Sequence, residues 1–416
     1  MKVSIEDQRL LDGGAGEASA MAMRILFEMG RILAAEKLIS VSSAHIDSCL
    51  YHGVSGVEFA ERLVEKGGRV KVPSSLNVGA LDLLHPEKMR LAGKERDYAR
   101  RLMNAYVALG CLPTWTCAPY QAGYRPQCGE NIAWAESNAV VFANSVLGAR
   151  TNRYGDFMDI CAAITGRVPL SGLHIAENRF ASIEVDTRGL SDELKGLDVF
   201  YAVLGSWLGR NVGSEIAVIS GLPRDVSDDQ LKALGASAAS SGGVALFHVA
   251  GVTPEAPTAE AALNHRPASQ VIQLTGDQLV AERDRMSTAG SAQLDVIAVG
   301  SPHFSLHEFQ YLLQLLNGRK CTIPIIACTG RHVLQQLEQL NYLETLTAAG
   351  VDLIVDTCVV VTPVFPKSSG VLMTNSGKFA HYSVSLTGHE VVFGSLQDCV
   401  NSAVSGSVVR DESSWN

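Results

Sequence analysis

LDVIAVGSPH (294–303), TIPIIACTGRH (322–332) and VDLIVDTCVVVTP (351–363) are three short apolar runs, each closing on Gly, Ser, Thr, Cys or Pro. SEIAVISGLP (214–223) and GVALFHVAGVTP (243–254) precede them and share the pattern. Between the runs lie stretches with apolar residues three and four apart: DDQLKALGASAAS (228–240), SLHEFQYLLQLLNG (305–318) and HVLQQLEQLNYLETLTAAG (332–350). Uniformly apolar strands alternating with amphipathic helices predict βαβ units and parallel sheets covered on both faces. The fold class is α/β. Ligands of such sheets sit beyond the carboxyl ends of the strands, so the residues closing each run are the first place to look for chemistry.

Working toward the N-terminus, MAMRILFEMGRILAAEKLI (21–39), GVEFAERLVEK (56–66) and residues 93–110 read as helices, and GGRVKVPSSLNVG (67–79) as a short strand running into a polar loop. A composition dip near 190–204 suggests lobes of about 1–190 and 191–416. The 416 residues carry 34 Lys and Arg against 43 Asp and Glu, a net charge of −9, and 47% are apolar. That hydrophobicity excludes a disordered chain. The acidic balance without a basic stripe argues against a nucleic-acid partner. No apolar run approaches the ~20 residues that span a bilayer, and no secretory leader opens the sequence, so a cytoplasmic protein is expected. Nine cysteines without regular spacing fit reduced thiols there.

Four strand ends carry the candidate chemistry: Thr116–Pro119, Gly300–His303, Ala327–Arg331 and Asp356–Cys358. Cys117, Cys328 and Cys358 each close a strand-like run beside Pro, Gly, Thr or Asp. Cys111, Cys161, Cys321 and Cys399 read as small core residues. No CxxC occurs, so a local zinc ribbon or ferredoxin loop is excluded. GENIAWAESNAVVFANSVLGARTNRYGDFMDICAAITGR (129–167) crowds amides and hydroxyls, Asn152 and Arg153 among them, into apolar sequence. It reads equally as a site lining or as a hydrogen-bonded network ordering the interior. TNSGKFAHY (374–382) puts Ser376 and Lys378 at a Gly-containing turn able to bind a carboxylate or phosphate, or simply a solvated loop. KVPSSLNVGALD (71–82) offers Ser75 and Asn77, which a plain turn explains almost as well. Walker A, GxGxxG, HExxH and GxSxG motifs are absent.

TCAPYQAGYRPQCGENIAWAESNAVVFANSVLGARTNRYGD (116–156), followed in order by GVTPEAP (251–257), GSPHFSLHEF (300–309), DTCVVVTP (356–363) and TNSGKFAHY, resembles the aconitase X family over nearly the whole chain. The resemblance implies an aconitase-like, multi-lobed α/β catalytic core and a hydro-lyase that binds an iron–sulfur centre. The activities it implies are cis-3-hydroxy-L-proline dehydratase or mevalonate 5-phosphate dehydratase. The phosphomevalonate branch has Cys before Pro-His where this chain has Ser301. That departure favours the hydroxyproline branch and a smaller centre, a 2Fe–2S cluster or mononuclear iron, on Cys117 and Cys358, with Cys328 able to restore a third thiolate.

The resemblance further implies catalytic roles for Ser301, His303 and Lys378, with Ser75, Asn77, Asn152, Arg153 and Ser376 binding substrate. His303 is expected either as a general acid or as a group steadying the centre. The base in the superfamily is a serine on a swivelling domain. The chain stops soon after Tyr382, so a separate small subunit carrying that domain is expected, with this chain as the large subunit acting on a small hydroxy amino acid. An RNA-binding relative or a non-catalytic assembly subunit are the competing expectations.

Overall fold

A computed structural model describes residues 1–289, 293–365 and 370–415. The chain forms two compact units, Met1–Leu81 with Leu91–Phe180, and Asp82–Arg90 with Ala181–Asn416. The first contains α1 (Glu17–Ile32), β1 (Ala44–Ile46), α2 (Val54–Glu65), β2 (Ser74–Leu76), α3 (Gly93–Ala108), β3 (Ala133–Trp134), α4 (Ser137–Ser145) and α5 (Met158–Thr165). β2, β1 and β3 form a parallel sheet with β1 central. A separate antiparallel pair joins Leu38–Ser40 to Arg167–Pro169. α4 and α5 have no exposed residue, which is why neither shows the one-sided apolar stripe of a surface helix.

The second unit holds two parallel sheets. β4 (Ile183–Asp186), α6 (Asp198–Val212), β5 (Ala217–Ser220), α7 (Asp228–Gly242), β6 (His248–Val249) and β7 (Gln270–Gln273) build the first, in order β6-β5-β4-β7. α6 and α7 touch backbone to backbone: a Cβ on Gly205 would lie 2.1 Å from the Leu234 carbonyl oxygen. The small residues of DDQLKALGASAAS are what permit that approach.

The second sheet, β10-β9-β8-β11-β12, is formed by β8 (Leu294–Phe304), α8 (Leu306–Leu316), β9 (Ile325–Thr329), α9 (Arg331–Gln339), α10 (Tyr342–Ala349), β10 (Val351–Val355), β11 (Val371–Thr374), α11 (Gly377–Thr387), β12 (Glu390–Phe393) and α12 (Leu396–Ser405). Ile297, Val299, Ile325, Ala327, Leu353 and Val355 point into one cluster with Phe309, Leu312 and Leu337. Burying each such side chain contributes roughly 1.5–3 kcal/mol. The predicted α/β class with mostly parallel strands holds. Each of the five predicted apolar runs contains a strand, but the fifth ends at Val355, and Val359–Val361 form a turn. The predicted helix over 332–350 is two helices, broken at Asn341, which has φ +57. Among the described residues no helix is long and apolar enough to cross a membrane.

Candidate active site

β8 and β9 pair in register up to Val299 opposite Ala327, and meet again at Phe304 opposite Thr329. Between those points the four residues Gly300 to His303 face Cys328 alone, so the strand bows out. Gly300, at φ +88, makes this possible: a Cβ there would fall 2.1 Å from the Cys328 carbonyl oxygen. Ser301 and His303 ride on the bow and are buried, and the Ser301–Pro302 peptide is cis.

A cavity of about 40 Å³ opens beside Ser301, walled also by Lys232, Ser237, Asn375, Ser376 and Lys378. Ser376 caps α11, accepting from Phe379 N at 3.0 Å, and its hydroxyl donates to the Ser301 carbonyl. Two predicted residues are thereby tied together, and the Ser376 hydrogen is spent on the strand. The Ser237 hydroxyl, 1% exposed and with no hydrogen-bond partner, packs against Gly377. Ammonium, hydroxyls and the opening turn of an 11-residue helix converge, and such groups stabilise an anion. The volume suits one small polar group or water. A larger cavity of about 380 Å³, lined by Asp198, Asp229, His307 and Glu308, shares Ala233, Glu308 and Asn375 with the small one.

On the other side of the bow, His303 Nε2 donates to the Thr357 carbonyl at 3.0 Å. Burial pushes the imidazole down to about 3, so the ring is neutral with its proton on Nε2. A neutral ring already donating to a carbonyl has no second proton to give, and it braces the Thr357 turn. Thr357 Oγ1 is buried without a partner, immediately before the nearly buried Cys358. Asp356 precedes them at φ +63, gripped by Arg331 Nε and Nη2, both at 2.6 Å, and by Leu83 N at 3.1 Å. Burial raises the Asp356 carboxyl even against that guanidinium. Cys328 lies within β9 opposite Ile354, wholly buried.

In the first unit, Cys117 is also nearly buried, and its carbonyl accepts from Asn138 Nδ2 at 2.9 Å; Tyr120 OH donates to the same amide at 3.2 Å. Ser75 on β2 shares a 2.8 Å hydrogen bond with His45 Nδ1 on β1. Burial pushes His45 down to about 4 and leaves its Nε2 without a partner. Asn77 donates to Asp47, and its own Oδ1 is buried and unmatched. Asn152 has both ends of its amide engaged, donating to the Ser171 carbonyl at 3.0 Å and accepting from Leu173 N at 2.8 Å, which makes it a loop brace. Arg153 is exposed on the same loop. Much of the polar stretch 129–167 is likewise an internal network: Asn144 is bonded through both amide atoms to Thr151, and Glu136 caps α4.

The thiols suit iron in kind, if not in number. Cys117 and Cys358 are soft donors and nearly buried; Cys358 follows β10 as expected, whereas Cys117 closes no strand, the segment before it having only an isolated bridge at Leu112 to β2. The orphaned Thr357 hydroxyl leaves one buried polar atom unmatched at that turn. Among the described residues no three His, Cys, Asp or Glu side chains converge. Sequence reading missed Lys232 and Ser237; Asn375 lies in the TNSGKFAHY turn it had singled out.

Comparison with known proteins agrees with this architecture. Family models for the aconitase X first, second and third domains match residues 1–177, 181–284 and 294–405. The chain is 42% identical over 407 residues to cis-3-hydroxy-L-proline dehydratase of Pseudomonas aeruginosa, covering 96% of itself and 69% of that protein. It is 37% identical to the phosphomevalonate dehydratase large subunit of Methanothermobacter thermautotrophicus, covering 93% and 95%. The crystal structure of holo-form aconitase X from Thermococcus kodakaraensis superimposes with a TM-score of 0.86 at 32% identity, over 97% of this chain and all of that one. This chain belongs to the aconitase X family and is a dehydratase.

Proposed function

We propose that the chain is the large subunit of a cytoplasmic, iron-dependent cis-3-hydroxy-L-proline dehydratase, forming Δ1-pyrroline-2-carboxylate with a small partner subunit. The observation that carries the substrate is Ser301. It stands on the bow of β8 beside the cavity, at the position where the family resemblance gives the phosphomevalonate branch a cysteine. The higher identity to hydroxyproline dehydratases than to phosphomevalonate large subunits supports the same choice. The small subunit is inferred from relatives named large subunits.

The reaction removes a proton from Cα and hydroxide from C3. A carboxylate of the substrate is the anion that Lys378 and the first turn of α11 would bind. As the Cα proton leaves, charge builds on that carboxylate, and a preplaced ammonium stabilises it without reorganisation. The Ser301 hydroxyl would donate to the departing oxygen. Ser376 holds Ser301 through its carbonyl, and His303 fixes the turn that bears Cys358. Iron held by Cys117 and Cys358, as a 2Fe–2S or mononuclear centre, would supply Lewis acidity for the leaving hydroxide. The base is assigned to a serine of the partner. The Cα proton goes to that base, the C3–O bond breaks and the departing hydroxide takes the Ser301 proton to leave as water, Ser301 is reprotonated by the proton the base gives up, and the resulting enamine tautomerises to the cyclic imine.

The test is anaerobic co-expression with the small subunit, an assay of cis-3-hydroxy-L-proline for water loss, and Cys358→Ala as control. Activity requiring both chains and abolished in the variant is expected. Turnover of mevalonate 5-phosphate instead would overturn the substrate, and an iron-free active enzyme would overturn the mechanism.

A further inference from the structure

α7 brings one charged side chain into the interior of the second unit. Lys232 is 2% exposed, and its Nζ donates to Asp229 Oδ1 at 2.9 Å, to the His303 carbonyl at 3.3 Å and to the Glu308 carboxylate. Its two acceptors are themselves fastened to the corner between β8 and α8. Ser305 Oγ donates to Asp229 at 2.7 Å, and Ser305 N donates to Glu308 at 2.8 Å. Burial works against the Lys232 ammonium, and the two carboxylates more than offset it, so the side chain stays charged. A buried ion of this kind costs several kcal/mol in desolvation and is a poor way simply to gain stability. What it contributes is direction: a charge with three acceptors admits one arrangement of the strands around it.

We infer that Lys232 is a positioning residue, setting through the His303 backbone the placement of Ser301 and, by way of the His303–Thr357 hydrogen bond, that of Cys358. Every link lies within one unit. Lys232 holds the His303 carbonyl; the His303 ring holds the Thr357 carbonyl; Cys358 is the next residue. Lys232 also walls the 40 Å³ cavity beside Ser301 and Lys378, so displacing it disturbs both faces of the bow. The role of Ser301 rests on the dehydratase reading above, whereas the link to Cys358 does not.

The experiment therefore has two arms. In the purified, metal-stripped chain, the labelling rate of Cys358 by a thiol reagent is followed by peptide mass spectrometry in the wild type, Lys232→Met and Glu308→Gln. The fully buried core thiol Cys399 serves as the internal reference. Cys358 labelling is expected to rise at least 10-fold relative to Cys399 in Lys232→Met, and to rise in Glu308→Gln as well. In the reconstituted enzyme, kcat should fall ~10–100-fold with KM within ~3-fold, and Lys232→Arg should recover part of the loss. An unchanged Cys358/Cys399 ratio in both variants overturns the inference. If Lys232→Met unfolds, raising both thiols together, Glu308→Gln alone decides. A wild type inactive on hydroxyproline would sink the substrate, while the labelling ratio would still judge Lys232.

Discussion

Gly300→Ala is the substitution whose cost the structure defines most closely. Two effects act on the new methyl group. The backbone at φ +88 is one that L side chains rarely adopt, a strain of roughly 1–2 kcal/mol. The Cβ would also lie 2.1 Å from the carbonyl oxygen and 2.9 Å from the nitrogen of Cys328. Both are backbone atoms of a central strand, so no side chain can swing aside, and overpacking of that kind costs about 1–3 kcal/mol. Together they predict a loss of about 2–5 kcal/mol. At ~2–4 °C per kcal/mol for a body of this size, the melting transition should fall by about 4–20 °C. Gly318→Ala is the matched control, since its φ is +75 but nothing lies within 4 Å of the added Cβ. It carries the strain without the collision and should lose about 1–2 kcal/mol. Scanning calorimetry of the three proteins measures both. Equal falls for the two variants would refute the claim that the bow of β8 rests on Cys328 and needs a glycine to do so.

Burial pushes His45 down to about 4 from its ordinary 6.5, so the unfolded chain binds the proton more readily than the folded one. Its contribution is complete above pH ~6.5 and is lost as pH falls toward 4, about 3 kcal/mol in all. Urea midpoints read by tryptophan fluorescence at pH 7.5 and 4.5 should show this loss, and His45→Gln should lessen it. Asn138→Ala removes the donor to the Cys117 carbonyl and should cost ~1–3 kcal/mol in denaturant titrations while lowering iron bound per chain. Lys378→Met should leave the melting temperature nearly unchanged, because the side chain is half-buried. Losing the proposed charged hydrogen bond to the substrate carboxylate should reduce kcat/KM by ~10–150-fold in steady-state assays.

The strands that sequence reading identified in the second unit are those with mostly apolar runs, such as LDVIAV and VDLIV, each interrupted by a single Asp. The strands it passed over are at most four residues long: β7 (QVIQ) is largely exposed, β4 (IEVD) alternates with carboxylates, and β1 and β3 have three and two residues. Ser301, Ser376 and Lys378 drew notice because strand ends and Gly turns are where parallel sheets place chemistry, and the three line one cavity. The bracing of Asn152 and the neutral state of His303 were not legible. Whether an amide faces a ligand or a carbonyl, and whether an imidazole can hold charge, depends on packing partners far away in the chain. Lys232 was invisible for the same reason, since a lone lysine three residues after an aspartate on a helix ordinarily reads as solvated.

Asp82–Arg90 belongs to the second unit although it is translated in the midst of the first. Asp82 Oδ2 accepts from Val355 N at 3.1 Å, Lys88 Nζ donates to the Leu353 carbonyl at 2.9 Å, and Arg90 N donates to the Pro363 carbonyl at 2.9 Å. These nine residues act as a clasp on the end of β10, and they leave the ribosome some 260 residues before the strand they close. Cutting the gene at 180/181 would therefore yield a second fragment whose β10 lacks its fastening. Supplying a synthetic peptide of residues 82–90 should restore it in trans, so this part of the enzyme is a natural candidate for fragment complementation.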